Sequence, residues 1–450
     1  MAAPAPLTQN RLTQQVNFIR LVGGQPLKGE IVLAGAKNTV PKQMVAALLS
    51  EEPSVLTNVA HVEDVELIAD MIRTLGGEVT IVDRQVTINA AQIRLPDEKE
   101  MLRFANKSRI PPLACGPMLA RLKEAIIPMP GGCNIGARPI NFHLEALKAL
   151  GATVEEQSES YLLKADGLKG AKITLDYPSV GTTEQVLLSS VLADGVTELT
   201  NAAVEPEIID LIALLQKMGA IISVDTDRVI TVVGVKKLHG YRHQAMPDRL
   251  EAASWACVAA VTNGRISVRG AKQLDMMTFL NKFRQVGGGF EITDEGITFY
   301  RENNELQSIS LETDVHPGFM TDWQQPFVVV LTQAKGTSVV HETVYEQRFG
   351  YIETLNKMGA QIQLYNQCLG GRECRFAGTN YLHSASITGP TKLRGADITV
   401  PDLRAGFSYV VAALAAEGES RIDNFAVLNR GYENLVEKLK SLGAEIVEVG

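Results

Sequence analysis

A motif that recurs six times along the 450 residues constrains the fold more than any other feature. In each copy a helical apolar pattern ends in an apolar residue, then a glycine, then a glycine or alanine, and an alternating strand pattern follows. The first glycines are Gly76, Gly151, Gly219, Gly287, Gly359 and Gly443, at steps of 75, 68, 68, 72 and 84 residues. Because glycine supplies a left-handed cap after a helix, each copy predicts a helix, a tight turn and a strand.

A second motif lies between the copies of the first. In five places a helix pattern runs into a short polar turn and then a strand, at residues 51–53, 194–196, 263–265, 336–337 and 417–419. The repeating unit is therefore about 70 residues long, with two helices and several strands, and one unit cannot bury its helices alone. Six units favour two globular domains of three units each. A solenoid is the alternative, although its repeats are usually shorter, roughly 20–50 residues.

Length and composition narrow the class of protein. The chain is too long for a single core, and its contents of 45% hydrophobic and 21% charged residues are ordinary for a globular enzyme. The net charge of −8 argues against binding of nucleic acid. No apolar run approaches the roughly 20 residues of a membrane span, and residues 1–16 look like a frayed tail without the apolar core of a signal peptide.

Cysteine usage points to a reducing compartment. The five cysteines are scattered and include no Cys-x-x-Cys pair, so we expect neither a disulfide framework nor a structural zinc site. Cys133 is the cysteine with the best prospect of a reactive thiol, since it lies in the glycine-rich segment 130–138 together with Arg138. A nearby cation lowers the pKa of a thiol, and glycines favour a mobile loop. The segment is consistent with a reactive loop that closes over a small anion, or with a turn that carries an incidental cysteine.

Charged residues stand where helices are predicted to begin. Lys37 precedes a predicted helix over 39–50, Arg109 precedes a predicted start at 110–112, and Arg404 lies at the start of the last long apolar helix. A cation is unfavourable at the positive end of a helix unless an anion compensates it, so Lys37 and Arg404 indicate binding of phosphate or carboxylate. Arg348 is a further candidate.

Two helix starts have the spacing of a capping box. Thr182 and Gln185 precede or begin a predicted helix over 184–192, and Thr321 and Gln324 open another. Pro326 has no evident role there, since proline disfavours the first intrahelical bonds.

In their order and spacing, these residues resemble the UDP-N-acetylglucosamine 1-carboxyvinyltransferase family, which consists of enolpyruvyl transferases related to EPSP synthase. The likeness runs from about Phe18 to the end of the chain. The segments that carry it are 35–38, 130–138, 205–208, 247–249, 321–322, 348–349, 402–404 and 430–432.

The resemblance implies an α+β fold, a two-domain inside-out α/β barrel in which each domain has three βαβαββ-type repeats with the helices packed inside. One domain would comprise residues 1–36 and 247–450, and the other residues 37–246 with the Cys133 loop. The active site would lie in the cleft between them.

The resemblance also implies a reaction. The enolpyruvyl group of phosphoenolpyruvate would move to the 3'-hydroxyl of UDP-N-acetylglucosamine with release of phosphate, in the cytoplasm, as the first committed step of peptidoglycan synthesis. No metal and no organic cofactor is implied, and the sequence does not indicate an oligomeric state.

The resemblance assigns roles residue by residue. Cys133 matches the general acid, and Asp322 matches the sugar-contacting carboxylate and candidate base. Lys37, Arg138 and Arg404 match the cations around phosphoenolpyruvate, with Asn38 beside them. The remaining substrate contacts are Arg109, Pro139, Ile140, Asn141 and Phe142 for the nucleotide, Ser179, Val180 and Gly181 for the diphosphate, Val344 for the sugar, and Arg348.

The chain departs from the family pattern on the nucleotide-sugar side. Asn141 stands where the family usually has Asp, and Tyr177 and Glu63 stand where Lys is common. Residues 111–113 replace a serine-containing stretch, and extra residues occur within 367–384. Two alternatives therefore stay open, namely an enolpyruvyl transferase with a different acceptor and a non-catalytic relative that keeps the fold.

Overall fold

The computed structural model describes residues 16–105, 107–129, 140–371 and 374–450. Its strands are β1 Phe18–Val22, β2 Lys28–Val32, β3 Ser54–Thr57, β4 Glu78–Val82, β5 Gln85–Asn89, β6 Glu124–Pro128, β7 Thr153–Glu156, β8 Ser160–Lys164, β9 Lys172–Thr174, β10 Val196–Thr200, β11 Ile221–Asp225, β12 Val229–Val233, β13 Arg242–Gln244, β14 Arg265–Arg269, β15 Gly288–Thr293, β16 Gly296–Arg301, β17 Leu306–Gln307, β18 Ser310–Glu312, β19 Ala334–His341, β20 Gln361–Tyr365, β21 Ser384–Gly389, β22 Asp397–Thr399, β23 Glu419–Asp423 and β24 Glu445–Val449.

The helices alternate with these strands. They are α1 Val40–Ala46, α2 Glu63–Thr74, α3 Glu98–Leu102, α4 Cys115–Leu122, α5 Asn141–Ala149, α6 Val180–Ser190, α7 Pro206–Lys217, α8 Arg249–Val261, α9 Met277–Gln285, α10 Thr321–Thr332, α11 Ile352–Lys357, α12 Leu403–Ala415 and α13 Leu435–Ser441. Short 3₁₀ segments are Ala47–Leu49, Pro111–Ala114, Thr226–Arg228, Gln273–Asp275 and Phe425–Arg430. None of the described helices has both the length and the apolar character that crossing a bilayer requires.

The described strands form six small sheets, one for each predicted unit. Their strand orders are β22-β23-β1-β24, β15-β16-β14-β2, β17-β19-β21-β20, β13-β3-β5-β4, β6-β8-β7 and β11-β12-β10-β9. In each unit the glycine of the first motif has a left-handed φ, between 88° and 107°, and joins a helix to the next strand. The six predicted helix–glycine–strand turns are therefore confirmed.

Two hydrophobic cores divide the molecule into lobes. The contiguous lobe has a core drawn from Ala34 to Ala245, and the discontinuous lobe has a core drawn from Ile19 to Leu33 and from Leu250 to Leu442. The chain enters the discontinuous lobe first, because β1 lies between β23 and β24 and β2 pairs with β14. The domain boundaries at residues 37 and 247 stay a prediction.

The long central helices lie inside the sheets. In the discontinuous lobe α8, α10 and α12 pack against one another, and nearly all of their residues are buried. In the contiguous lobe α6 is similarly buried and packs against α4 and α5. A helix that is apolar all round must be surrounded by other elements. The predicted two-domain α+β fold with helices packed inside is confirmed.

Several local predictions were wrong. Helix α6 begins four residues before the predicted 184, and Ser179, rather than Thr182, caps it by accepting from the backbone N–H of Thr182 at 3.3 Å. Helix α10 has no side-chain cap, because its N-cap residue is Met320. Thr321 is the first helical residue, and its hydroxyl donates to Glu342. Residues 336–337, predicted as a turn, lie within β19.

Candidate active site

The N-terminal ends of helices from both lobes meet in a cleft of about 740 Å³. The contiguous lobe contributes the residues at the start of α1, of the 3₁₀ segment before α4, and of α6, and the discontinuous lobe contributes the starts of α8, α10 and α12. Helix N-termini carry partial positive charge and unpaired N–H groups. The cleft is therefore suited to bind anionic ligands.

Asp322 is the centre of a buried group of ion pairs. It is the second residue of α10, and its Oδ2 accepts a hydrogen bond from Arg404 Nε at 3.2 Å while its Oδ1 pairs with Arg348 Nη2. The side chains of Arg348 and Arg404 are 1% and 8% exposed. Two guanidinium groups around one carboxylate leave a net positive charge and fix the orientation of that carboxylate.

Arg404 is held at both its backbone and its side chain. The Oδ1 atom of Asp402 caps α12 by accepting from the backbone N–H groups of Arg404 and Ala405, at 2.9 and 3.1 Å. Burial alone lowers the pKa of Arg404, but Asp322, Tyr432 and Asp248 together outweigh burial, so the pKa lies above its ordinary value. Arg404 therefore stays charged, with its side chain fixed beside Asp322.

Lys37 lies on the opposite side of the cleft and also has a carboxylate partner. Its Nζ is 2.8 Å from Asp64 Oδ2, and Asp64 Oδ1 also accepts from Arg430 Nη2 at 3.4 Å. Burial alone raises the pKa of Asp64, but Lys37 and Arg430 reverse the effect, so the pKa lies below its usual value. The anions that compensate Lys37 and Arg404 are thus carboxylates of the chain itself, which weakens the sequence argument that these cations need a bound anion.

The cleft wall of the contiguous lobe carries a neutral histidine. His143 Nδ1 is 3.4 Å from Gln185 Oε1, and burial lowers the pKa of His143 to about 4, with a smaller lowering by the charge of Arg109. A Cβ at Gly181 would come within 3.0 Å of His143 Nε2, so the glycine leaves room for the imidazole at the start of α6.

On the facing wall, which belongs to the discontinuous lobe, a buried carboxylate fixes the backbone by accepting hydrogen bonds. Glu342 Oε1 accepts from the backbone N–H groups of Val344 and Tyr345 at 2.8 and 3.0 Å, which turns Val344 into the cleft. The carbonyl of Val344 accepts from Arg375 Nη2, and the Arg375 guanidinium lies 4.5 Å from the centre of the Tyr177 ring. Arg375 thus links the discontinuous lobe to the contiguous lobe across the cleft.

Most of the residues predicted for the site line this one cleft. Those that do so are Lys37, Asn38, Arg109, Ile140, Phe142, Ser179, Val180, Gly181, Asp322, Val344, Arg348 and Arg404. Asn141 is the exposed first residue of α5 and is not among the lining residues of the described chain. Cys133, Arg138 and Pro139 lie outside the described residues.

The sequence interpretation missed several charged residues of the cleft. Asp64 belongs to the acidic first turn of α2, where acids are usually solvated or simply favour the helix N-terminus. Arg249 forms a buried bidentate pair with Glu207 of the other lobe, with both bonds at 2.9 Å. The motifs at 205–208 and 247–249 contain these two residues, but nothing in the sequence pairs them.

Comparison with known proteins is consistent with this geometry. The family described as EPSP synthase (3-phosphoshikimate 1-carboxyvinyltransferase) matches residues 21–439. A relative from Protochlamydia amoebophila (strain UWE25), named UDP-N-acetylglucosamine 1-carboxyvinyltransferase, is 48% identical over 437 residues, which are 96% of this chain and 94% of the relative. The chain belongs to the UDP-N-acetylglucosamine 1-carboxyvinyltransferase family. A more distant relative from Geobacillus kaustophilus (strain HTA426), UDP-N-acetylglucosamine 1-carboxyvinyltransferase 2, is 38% identical over 95% of this chain and 96% of its own length.

Solved structures share the fold of this carboxyvinyltransferase family member. The enolpyruvyl transferase NikO from Streptomyces tendae superimposes with a TM-score of 0.83 at 20% identity, covering 96% of this chain and 99% of NikO. EPSP synthase from Acinetobacter baumannii gives a TM-score of 0.75 at 18% identity, covering 96% of this chain and 99% of the synthase. At these identities the likeness concerns the fold alone.

Proposed function

We propose that the chain transfers the enolpyruvyl group of phosphoenolpyruvate to the 3'-hydroxyl of UDP-N-acetylglucosamine and releases phosphate. The observation that carries the proposal is the convergence of Lys37, Asp322, Arg348 and Arg404 in one cleft of a chain that belongs to this family. In a cell the reaction would be the first committed step of peptidoglycan synthesis, and we place it in the cytoplasm. None of the described cysteines is in a disulfide, which suits that reducing compartment.

The cations of the cleft would bind phosphoenolpyruvate. Around Asp322 the two guanidinium groups exceed the carboxylate charge, and around Asp64 the pair of Lys37 and Arg430 does the same. This excess suits a ligand that carries a phosphate and a carboxylate. Because the cations are already fixed by their carboxylate partners, little reorganisation accompanies the reaction.

The proposed chemistry is an addition followed by an elimination. Cys133, as general acid, donates a proton to the methylene carbon while the sugar 3'-hydroxyl oxygen bonds to the neighbouring carbon and loses its proton. Asp322 is the candidate acceptor for that proton. Loss of a proton from the new methyl group and departure of phosphate then restore the double bond. A positioned acid or base contributes about 10²–10⁴-fold to such steps.

A second candidate is an enolpyruvyl transfer to a different acceptor. It is favoured by Asn141, which is exposed, and by Tyr177, which lies in the cleft under Arg375. Titration with UDP-N-acetylglucosamine and with other UDP-sugars separates the two candidates, since tighter binding of another sugar would favour the second.

The function is tested by phosphate release from phosphoenolpyruvate in the presence of UDP-N-acetylglucosamine, with the enolpyruvyl ether identified by mass. We expect Asp322→Asn and Cys133→Ser each to lower turnover about 10²–10⁴-fold, as loss of an acid or base does. The exposed Lys357, which pairs with Glu353 one turn away, provides the control Lys357→Ala for the cleft variant Lys37→Ala. Wild-type release without the nucleotide sugar, or equal rates for the Lys37 and Lys357 variants, would contradict the proposal.

A further inference from the structure

Four metal-binding side chains meet where β19 ends and β21 begins. His341 ends β19, His383 immediately precedes β21, and Cys368 and Cys374 lie in the connection between β20 and β21. One ligand atom from each residue lies within 4.8 Å of the other three. Two of these distances are direct contacts, namely 3.7 Å between the two Sγ atoms and 3.4 Å from Cys368 Sγ to His383 Nε2.

The distances match the edges of a tetrahedral zinc site. Zinc binds thiolate sulfur at about 2.3 Å and imidazole nitrogen at about 2.0–2.1 Å, so a regular tetrahedron has sulfur–sulfur edges of about 3.8 Å and sulfur–nitrogen edges of about 3.6 Å. The observed 3.7 and 3.4 Å lie close to these values. Two cysteines and two histidines are also a common ligand set for structural zinc.

Both imidazoles are oriented by a partner on the ring nitrogen that faces away from the cluster. His341 Nδ1 is 2.7 Å from Glu312 Oε2, and His383 Nδ1 is 2.8 Å from the carbonyl oxygen of Tyr381. Such outer partners fix the tautomer that leaves Nε2 free to bind a metal. The His341 side chain is fully buried, and among the described residues its Nε2 has no hydrogen-bond partner. A bound cation would satisfy that nitrogen.

The connection between β20 and β21 passes so close to His341 and its partner Glu312 that it has room only for a glycine there. A Cβ at Gly370 would collide with Glu312 Oε2 and with His341 Nδ1, so any other residue would displace the hydrogen bond that orients His341. A disulfide between Cys368 and Cys374 would explain neither this fit nor the buried His341 Nε2, and the two sulfur atoms are not bonded at 3.7 Å.

We propose that His341, Cys368, Cys374 and His383 bind one structural Zn²⁺ ion. With all four positions taken by protein ligands, the site is closed to substrate, and binding releases the two thiol protons. The proposal departs from the sequence expectation because the ligands have no Cys-x-x-Cys spacing. Metal binding itself is independent of the proposed catalytic function, and only its expected effect on KM rests on that function.

The zinc would hold a wall of the active-site cleft. Arg375 and Phe376 follow Cys374 directly, and the Phe376 ring lies 5.8 Å from that of His383. Phe376, Thr379 and Tyr381 line the cleft, and Arg375 reaches Tyr177 of the other lobe. We therefore expect loss of the metal to raise KM for the nucleotide sugar more than it lowers kcat.

The test is the metal content of the full chain, purified without chelators and measured by elemental mass spectrometry. We expect about one zinc per wild-type chain, and loss of that zinc in Cys368→Ser and Cys374→Ser. Cys115 and Cys257 are buried in the two cores, so Cys115→Ala and Cys257→Ala are matched thiol controls that keep the metal. Zinc content unaffected by the Cys368 and Cys374 substitutions would overturn the assignment.

A second measurement covers the case in which a ligand variant does not fold. Wild-type chain stripped of metal and titrated with Co²⁺ should show the intense visible bands of tetrahedral cobalt and thiolate-to-cobalt charge transfer. The same titration of His383→Gln should lose or shift those bands. A wild-type chain that holds no zinc and gives no such spectrum, or one that contains a Cys368–Cys374 disulfide after purification, would refute the proposal.

Discussion

Two histidines near the cleft are kept neutral by their surroundings. Burial lowers the pKa of His143 to about 4, and it lowers the pKa of His316 to about 4 as well, with the charge of Arg249 acting in the same direction. Both values lie well below the ordinary value of 6.5. The imidazoles therefore remain uncharged at neutral pH, and the positive charge of the cleft comes from lysine and arginine.

A pH dependence of stability follows for His143. Between pH 6.5 and about 4 the unfolded chain binds a proton at this residue that the folded chain does not, so the free energy of unfolding falls as the pH is lowered through this range. We expect His143→Gln to flatten the slope of the urea midpoint against pH in that window. The exposed His61 gives the control His61→Gln. Equal slopes for His143→Gln and wild type would show that burial of His143 does not matter.

Single residues of the site could be predicted from the sequence only where a motif marked them. Lys37, Asp322 and Arg404 stand in recognisable segments at helix starts. Their charge partners, such as Asp64 for Lys37, lie on other elements and look like ordinary acids of a first helical turn. Pairing across elements depends on packing, which local sequence does not encode.

At the scale of elements, glycines with left-handed backbone conformations lie between the helices and the strands that follow them. The six motif glycines have φ between 88° and 107°, a region that costs other residues about 1–2 kcal/mol. Each one follows the end of a helix, and the next strand starts one or two residues later. These six positions set the length of every repeat.

At such a turn, the free-energy cost of backbone strain can be measured separately from that of steric crowding by a side chain. Gly443 has a φ of 88°, and a Cβ there would meet no atom within 4 Å. Gly167 is equally open but lacks a left-handed φ. We expect Gly443→Ala to lower the free energy of unfolding by about 1 kcal/mol because of backbone strain alone, whereas Gly167→Ala should be neutral or stabilising by about 0.4–1 kcal/mol. Denaturant unfolding checks both, and equal effects would contradict the explanation.

Element-level prediction succeeded at the six glycines of the first motif and was less accurate for the second motif, whose residues 336–337 lie inside β19. The sixth copy of the second motif was missed because Lys123, with φ of 64°, makes the left-handed turn between α4 and β6. The capping-box prediction at Thr182 and Thr321 was wrong because both threonines lie inside their helices. Ser179 is the N-cap residue of α6, and Met320, which has no capping oxygen, is that of α10.

At the scale of the whole molecule, an ion pair and a backbone hydrogen bond at Glu433 join the two lobes. Glu433 of the discontinuous lobe accepts from Arg84 Nη2 at 2.5 Å and from the backbone N–H of His61 at 2.9 Å. The Glu433 side chain is only 1% exposed. Removing the charge of a buried carboxylate costs more stability than removing that of an exposed pair, because its partners are left without a counter-charge.

Weakening this link should favour open arrangements of the lobes. We expect Glu433→Gln to raise KM for both substrates at nearly unchanged kcat, because the competent closed form becomes a smaller fraction of the free enzyme. Small-angle scattering of the free chain should show a larger radius of gyration. Glu419→Gln, which breaks an exposed pair with Arg20 inside one lobe, is the matched control. An unchanged KM would exclude a role of Glu433 in closure.

The position of β1 between β23 and β24 also affects how the protein is made. A ribosome releases the contiguous lobe as one uninterrupted stretch, so that lobe can fold while synthesis continues. The first strand of the other lobe must wait for partners translated last, with most of the chain already outside the exit tunnel. During that delay an unpaired strand is exposed to wrong partners, and such long-range pairing slows folding. Translation that stalls before residue 419 would therefore leave one finished half and one that aggregates.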